Sequence, residues 1–118
     1  MGKTKNKPQN IADLSQLSSP TEDSITASLR VRYENDIIYT RINDAILVAL
    51  NPYKPALQSH TSPEYVTEYK EIQTEATEQQ LPPHLYQIAN QAYLHMRRTG
   101  VDQSIFLRYY YYYYYTPL

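Results

Sequence analysis

Ala45-Ile46-Leu47-Val48-Ala49-Leu50-Asn51-Pro52-Tyr53-Lys54 is the stretch whose reading decides the fold. Its first six residues are apolar without interruption, with neither helical nor alternating spacing. Such a run suits a strand covered on both faces. It stops at Asn51-Pro52, because proline cannot donate to a ladder. Just upstream, Ile37-Ile38-Tyr39-Thr40 is β-branched and aromatic and predicts a short strand. Asn43-Asp44 supplies the turn between the two.

Helices flank this pair in the sequence. Ser19-Pro20-Thr21-Glu22 is a start signal: Ser19 as cap, Pro20 at the first helical position, Glu22 closing a capping box. Ile25, Leu29 and Tyr33 follow at helical spacing, with Arg30, Arg32 and Glu34 left to solvent, which predicts a helix over 20–35. Residues 55–61 read as a loop. Ser62-Pro63-Glu64 opens a second helix with Tyr65, Val66, Tyr69 and Ile72 on one side, followed by a polar loop over 73–80. Pro82-Pro83 opens a third, over 83–98. There Leu85, Ile88, Ala89, Ala92 and Met96 form one apolar stripe, Arg97 and Arg98 suit the dipole of the last turn, and Gly100 ends it. Ser104-Ile105-Phe106-Leu107 predicts a further strand. Helix, strand, strand, helix, helix, strand is an α/β order.

The 118 residues hold one small domain at most. A hydrophobic fraction of 42% looks globular, but 14 tyrosines inflate it, and the one Phe and absent Trp leave the core to Ile, Leu, Val and Ala. A net charge of −1 gives no surplus to neutralise phosphates, so a general nucleic-acid binder is excluded. With no cysteine, disulfide and thiolate chemistry are excluded. No apolar run approaches the ~20 residues of a membrane helix. Lys3, Lys5 and Lys7 precede no apolar stretch, so no secretory signal is expected.

Most candidate chemistry has an ordinary explanation. Gly2-Lys3-Thr4 resembles the end of a phosphate loop but lacks the upstream glycine and strand such a loop needs. His84 and His95 are eleven apart, which is not the spacing of a helical metal pair, and together with His60 they read as solvated or singly hydrogen-bonded. His84 is expected in a first helical turn. Glu64, Glu68, Glu71, Glu75 and Glu78 read as a solvated face. No catalytic residue and no metal site is assigned. Asn51-Pro52-Tyr53-Lys54 stands apart, because it lies where a buried strand ends, the place where open α/β sheets hold ligands. Pro52 fixes the backbone, Asn51 offers donors and an acceptor, and Tyr53 offers a ring face for a planar base. A plain strand-ending turn has the same spacing.

Four segments in order carry a resemblance: Ile38-Tyr39-Thr40; Ala45 through Lys54; Leu81-Pro82-Pro83-His84; and Ala89-Asn90-Gln91-Ala92-Tyr93 running on to Asp102-Gln103-Ser104-Ile105. Over residues 13 to 107 the chain resembles the N-terminal part of a myosin motor head. His95-Met96-Arg97-Arg98-Thr99, with Ser18-Ser19-Pro20-Thr21 upstream, resembles the divergent heads fused to fungal chitin synthases. The resemblance implies an α/β fold: a partial mixed sheet with flanking helices, part of a P-loop NTPase motor head. Residues 1–13, polar and rich in Lys, Asn and Gln, read as a flexible tail and 108–118 as a low-complexity tail, and the resemblance makes 14–107 a partial motor domain. It further implies ATP and Mg²⁺ as cofactors, actin as partner, and a cytoplasmic, cytoskeleton-associated protein. Asn51, Pro52, Tyr53 and Lys54 match the loop that borders the purine in that family. Where conventional heads add an aromatic beside the base, this chain has Leu57-Gln58-Ser59-His60.

In the family, the strand matching Ser104-Ile105-Phe106-Leu107 feeds a glycine-rich phosphate loop. Here Arg108 and seven tyrosines, Tyr109 to Tyr115, follow. Tyrosine cannot replace a cradle that needs close backbone approach. The 118 residues alone are therefore expected to lack ATP hydrolysis, although the family is one of ATPase motors. The tyrosine run has two readings: a contact surface, or a coding sequence that changes frame, reads through an intron or meets a triplet repeat after Leu107. A small non-enzymatic interaction module that reuses the motor subdomain stays open as an alternative. Self-association through the exposed strand and the tyrosine tail is expected, and a fragment missing its sheet partners is expected to be marginally stable.

Overall fold

The computed structural model describes residues 10–55, 62–70 and 81–109. Residues 1–9 of the expected tail, the loop at 56–61, the acidic stretch 71–80 and residues 110–118 lie outside them. From Asn10 onward the chain is held in place. Ala12 accepts a backbone hydrogen bond from Arg41 at 3.0 Å, and Asp13 bridges Arg41 in parallel. The Asp13 carboxylate caps a single 3₁₀ turn, Leu14–Gln16, by accepting from the Ser15 N–H.

Helix α1 spans Glu22–Glu34. Its start is shifted from the expected one: Thr21, not Ser19, is the cap, and the reciprocal partner is Ser24, not Glu22. The Ser24 N–H donates to Thr21 Oγ1 at 3.2 Å, and the Thr21 N–H donates to Ser24 Oγ at 2.9 Å. Ser24 can also donate its hydroxyl to Ser19 O at 2.8 Å, which a glutamate could not do. Pro20 therefore precedes the cap. Asp36, with φ 61°, turns the chain out of the helix, and the Ile37 N–H still bonds Arg32 O at 2.9 Å.

That bond keeps Ile37 out of the sheet. The first strand, β1, is Tyr39–Ile42 rather than 37–40. It pairs antiparallel with β2, Ile46–Ala49, in the register Tyr39↔Ala49 to Ile42↔Ile46. The turn between them has Asn43 at φ 47°, its Oδ1 accepting from the Ala45 N–H at 3.1 Å. Asparagine tolerates this left-handed backbone because its short side chain can bond locally. Expected coverage of β2 on both faces is not found: Ile46 and Ala49 are exposed and Leu47 and Val48 half-buried.

The expected strand at 104–107 is also absent. Residues 101–109 have no regular structure, and Phe106 is 92% exposed. Strand propensity is realised only against a neighbouring strand, and none lies beside this segment among the described residues. The partial mixed sheet is thus a two-stranded antiparallel hairpin with one parallel bridge on its other edge. With the three helices among the described residues it remains a small α/β arrangement.

Helix α2, Pro63–Lys70, starts after Ser62 as expected. Helix α3, Leu85–Thr99, starts later than 83 because His84 is its cap. Gly100 ends it at φ 69°, its N–H bonding Met96 O at 2.8 Å. The α3 stripe is not the buried face that its period predicts. Leu85, Ala89 and Met96 are exposed, and Gln87 is the buried residue. Among the described residues, Leu14, Tyr69 and Pro83 are the buried apolar side chains, against Ser28, Arg32, Thr40, His84 and Gln87 among the polar ones.

Candidate functional site

The 51–54 turn leaves β2 directly. The last ladder-like bond runs from the Leu50 N–H to Ile38 O at 2.9 Å. Asn51 Oδ1 then accepts from the Tyr53 N–H at 2.9 Å, a side-chain mimic of a backbone turn. This draws Tyr53 to φ 50°, a left-handed backbone that an aromatic residue rarely adopts. Tyr53 is 87% exposed. Asn51, Pro52, Tyr53 and Lys54 are therefore brought together, with a free ring face at the strand's C-terminal end.

Helix α1 anchors the turn at two points. Tyr33 donates its hydroxyl to Pro52 O at 3.3 Å, and the Lys54 ammonium pairs with the Asp36 carboxylate. Both partners of that ion pair are about half exposed, so it contributes no more than about 1 kcal/mol. The spacing of α1 suggested Tyr33 as a core residue and said nothing of Asp36.

Arg32 is the largest departure from expectation around this site. It was expected to face solvent and is 4% exposed. Its Nε–H donates to Thr40 Oγ1 at 2.8 Å, one terminal nitrogen to Asn10 Oδ1 at 2.9 Å and the other to Tyr39 O at 2.8 Å. Burial pushes its pKa down from the ordinary arginine value. A planar fork of donors meets three oxygens from two segments and ties α1 to β1. This holds the helix exit that carries Tyr33 and Asp36.

His84 is likewise neither solvated nor inside the first helical turn. It is 2% exposed, and its Nδ1 accepts from the Tyr86 N–H at 3.0 Å, which places the neutral ring's proton on Nε2. Tyr86, Tyr39, Tyr69 and Tyr65 surround it with ring centroids at 4.5, 4.9, 5.2 and 5.3 Å. Burial, then Tyr65 and Glu68, push the Tyr69 phenol well above its usual range, with Arg41 opposing. Its hydroxyl donates to Pro82 O. Burial and then Tyr86 also raise the Tyr39 phenol. The cage thus stays neutral and joins β1, α2 and α3. A histidine after Pro-Pro and before an apolar helix was its signal.

His95, Glu64 and Glu68 are exposed, while His60, Glu71, Glu75, Glu78 and Gly2-Lys3-Thr4 lie outside the described residues. Among the described residues no cluster of three or more His, Asp or Glu side chains is arranged to hold a metal ion. No described helix is long and apolar enough to cross a membrane.

Comparison with known proteins bears on the whole of this arrangement. Residues 11–108 match the myosin head (motor domain) family. The chain belongs to that family. Chitin synthase 8 of Mycosarcoma maydis is 39% identical over 100 residues, covering 82% of this chain and 5% of that protein. Myosin IB heavy chain of Dictyostelium discoideum is 32% identical over 107 residues, covering 91% and 9%. Myosin-VIIa of Drosophila melanogaster is 34% identical over 99 residues, covering 84% and 4%. The chain thus spans under a tenth of each of these relatives. As a myosin-head segment, the hairpin, the 51–54 turn and the tyrosine cage are all inside the matched region.

Proposed function

We propose that this chain is the N-terminal part of an ATP-dependent actin motor head of the P-loop NTPase kind, and that its 51–54 turn borders the purine of ATP. The observation that carries this reading is the myosin-head match across residues 11–108. The turn supports it by its chemistry: Tyr53 offers an exposed ring face, and Asn51 and Pro52 fix the backbone beneath it. An aromatic face attracts a base by stacking worth about 1–3 kcal/mol. A head fused to a chitin synthase is the form favoured by the similarity to chitin synthase 8. Actin binding and a cytoskeletal location belong to the whole motor on this reading.

The residues fit only one end of the nucleotide. The 118 residues contain two glycines, Gly2 and Gly100, so they hold no glycine-rich cradle for the phosphates. No described carboxylate cluster would hold Mg²⁺. Phosphate contacts supply most of the charge stabilisation in phosphoryl transfer, so this chain alone turns over no ATP. The test is an NMR titration of the 118-residue chain with adenosine and with ATP, alongside a phosphate-release assay. Expected are weak shifts at Asn51, Tyr53 and Lys54, similar affinity for both ligands, and no release above background. Turnover that copurifies with the chain, or shifts confined to other residues, overturns the reading.

A further inference from the structure

The hydrogen bonds of the hairpin fix which way each residue of β2 faces. The Leu50 N–H bonds Ile38 O at 2.9 Å, one step beyond the Tyr39↔Ala49 pair. Bonded and non-bonded pairs alternate along an antiparallel ladder. Ile46 and Val48 therefore exchange bonds with Ile42 and Thr40, while Leu47 and Ala49 turn their N–H and C=O groups away from β1. The far edge of β1 follows the same alternation: the Arg41 N–H points outward and meets Ala12 O at 3.0 Å. Among the described residues no backbone group meets Leu47 or Ala49 in this way, and no further strand lies beside β2.

This edge carries none of the usual protection. Exposed edges are ordinarily blunted by charge, proline or a bulge. From Ala45 to Leu50 there is neither a charge nor a proline, and the register with β1 runs without a bulge. Ile46 is 52% exposed and Ala49 is exposed beside the open edge. A net charge of −1 puts little repulsion between two copies.

We propose that β2 pairs antiparallel with β2 of a second copy of this chain, Leu47 opposite the partner's Ala49 and Val48 on the two-fold axis. Each Leu47–Ala49 pair then exchanges both of its outward bonds, and the two-fold repeats the exchange. Ile46 meets the partner's Leu50 and Val48 meets the partner's Val48 on one face, apolar pairs of the kind that stabilise a sheet. Sliding the pairing by two residues is worse in either direction. One slide sets Ala49 opposite the partner's Ala45, whose N–H already donates to Asn43 Oδ1 at 3.1 Å. The other sets Leu47 opposite the partner's Asn51, which has left the strand for the turn. The uninterrupted apolar run thus becomes an inner strand of a four-stranded sheet, the place its composition suits. The proposal does not rest on the motor reading.

So small an interface, below about 1,200 Å², gives a weak dimer, with Kd of about 10 μM to 1 mM. Amide exchange of the ¹⁵N-labelled 118-residue chain is followed as its concentration is raised through that range. The Leu47 and Ala49 N–H groups are expected to slow by about 5-fold or more, and Val48, bonded within the hairpin, to change less. The chain has no cysteine, so a single introduced thiol reports its own position. Across the two-fold, residue 48 would face its own copy at a Cα separation of about 4.5 Å, within reach of a disulfide. Residue 46 would lie roughly 13 Å from its copy, beyond reach. Val48→Cys is therefore expected to cross-link in air about 10-fold or more faster than Ile46→Cys, although Ile46 is the more exposed. Ala49→Lys is expected to weaken the dimer by about 10-fold or more while the Val48 amide stays protected. Concentration-independent exchange at Leu47 and Ala49 overturns the proposal. So does a dimer that leaves those amides fast, as pairing through Ser104–Leu107 or the tyrosine run would, or Ile46→Cys cross-linking as fast as Val48→Cys. The wild-type exchange alone decides it where a variant fails to fold.

Discussion

Replacing Thr40 by valine tests whether the polar centre, rather than an apolar one, holds α1 on the hairpin. Thr40 is 1% exposed and is the sole described acceptor of the Arg32 Nε–H, at 2.8 Å. Valine keeps the shape and suits a strand, so the substitution removes little except the hydroxyl. It leaves one donor of a buried cation without an acceptor, which costs about 1.5–3 kcal/mol. Arg32→Met removes the cation together with its three bonds. Thr40 then keeps an unpaired buried hydroxyl, while the Asn10 and Tyr39 oxygens, only part-buried in these bonds, can turn to water. We expect about 2–4 kcal/mol for that change. In the double variant both partners are apolar, so the combined cost falls short of the sum by about 1.5–3 kcal/mol. Urea unfolding at neutral pH, followed by far-UV circular dichroism, measures all four proteins. Arg32 Nε–H exchange gives a second readout, slow in the wild type and fast in Thr40→Val. A Thr40→Val cost below about 0.5 kcal/mol, or additivity of the singles within about 0.5 kcal/mol, refutes the argument.

The tyrosine cage predicts that His84→Ala costs about 2–4 kcal/mol through the lost cap and the emptied space, and that His84→Asn recovers about 1 kcal/mol by restoring an acceptor for the Tyr86 N–H, both read from thermal unfolding. At the 51–54 turn, Tyr53→Gly relieves the left-handed backbone and raises stability by about 1 kcal/mol, whereas Tyr53→Val lowers it, as urea midpoints will record. Acid sensitivity follows from Asp13. Burial pushes its carboxyl up, but hydrogen bonds from the Ser15 hydroxyl, the Ser15 N–H and the Asn43 N–H, with the Arg41 charge, outweigh that and hold it below the ordinary value. The unfolded chain then takes up the proton first as pH falls, so this stability is complete above about pH 4 and fades as pH drops through the lower folded value. Asp13→Asn should flatten that acid slope, and an unchanged slope in pH-dependent urea melts removes Asp13 as its cause.

What was legible in the sequence and what was not divide along a physical line. Helices α2 and α3, the hairpin and the 51–54 turn are written in local chemistry: Ser-Pro starts, a glycine stop, Asn43 and Asn51 turning the backbone. Neighbours within four residues decide those features. Arg32 was misread as solvent-facing, and the burial of His84 and Gln87 was not foreseen, because burial depends on partners that only the fold supplies, such as Asn10 and Thr40 for Arg32. Their types favour solvent, and no periodicity reports a distant acceptor. The opposite error fell on apolar residues. Leu85, Ala89 and Met96 on α3, Ile46 on β2 and Phe106 beyond α3 follow patterns that call for burial, and all are exposed. Each uncovered large apolar side chain forgoes roughly 1.5–3 kcal/mol, and a whole domain commonly has about 5–15 kcal/mol to lose. The two errors have one source. Arg32 and His84 find hydrogen-bond partners within the described residues, whereas Leu85, Ile46 and Phe106 stay uncovered there. The chain spans under a tenth of the relatives it matches, and its exposed Leu, Ile, Met and Phe side chains call for more apolar surface than the described hairpin and helices supply.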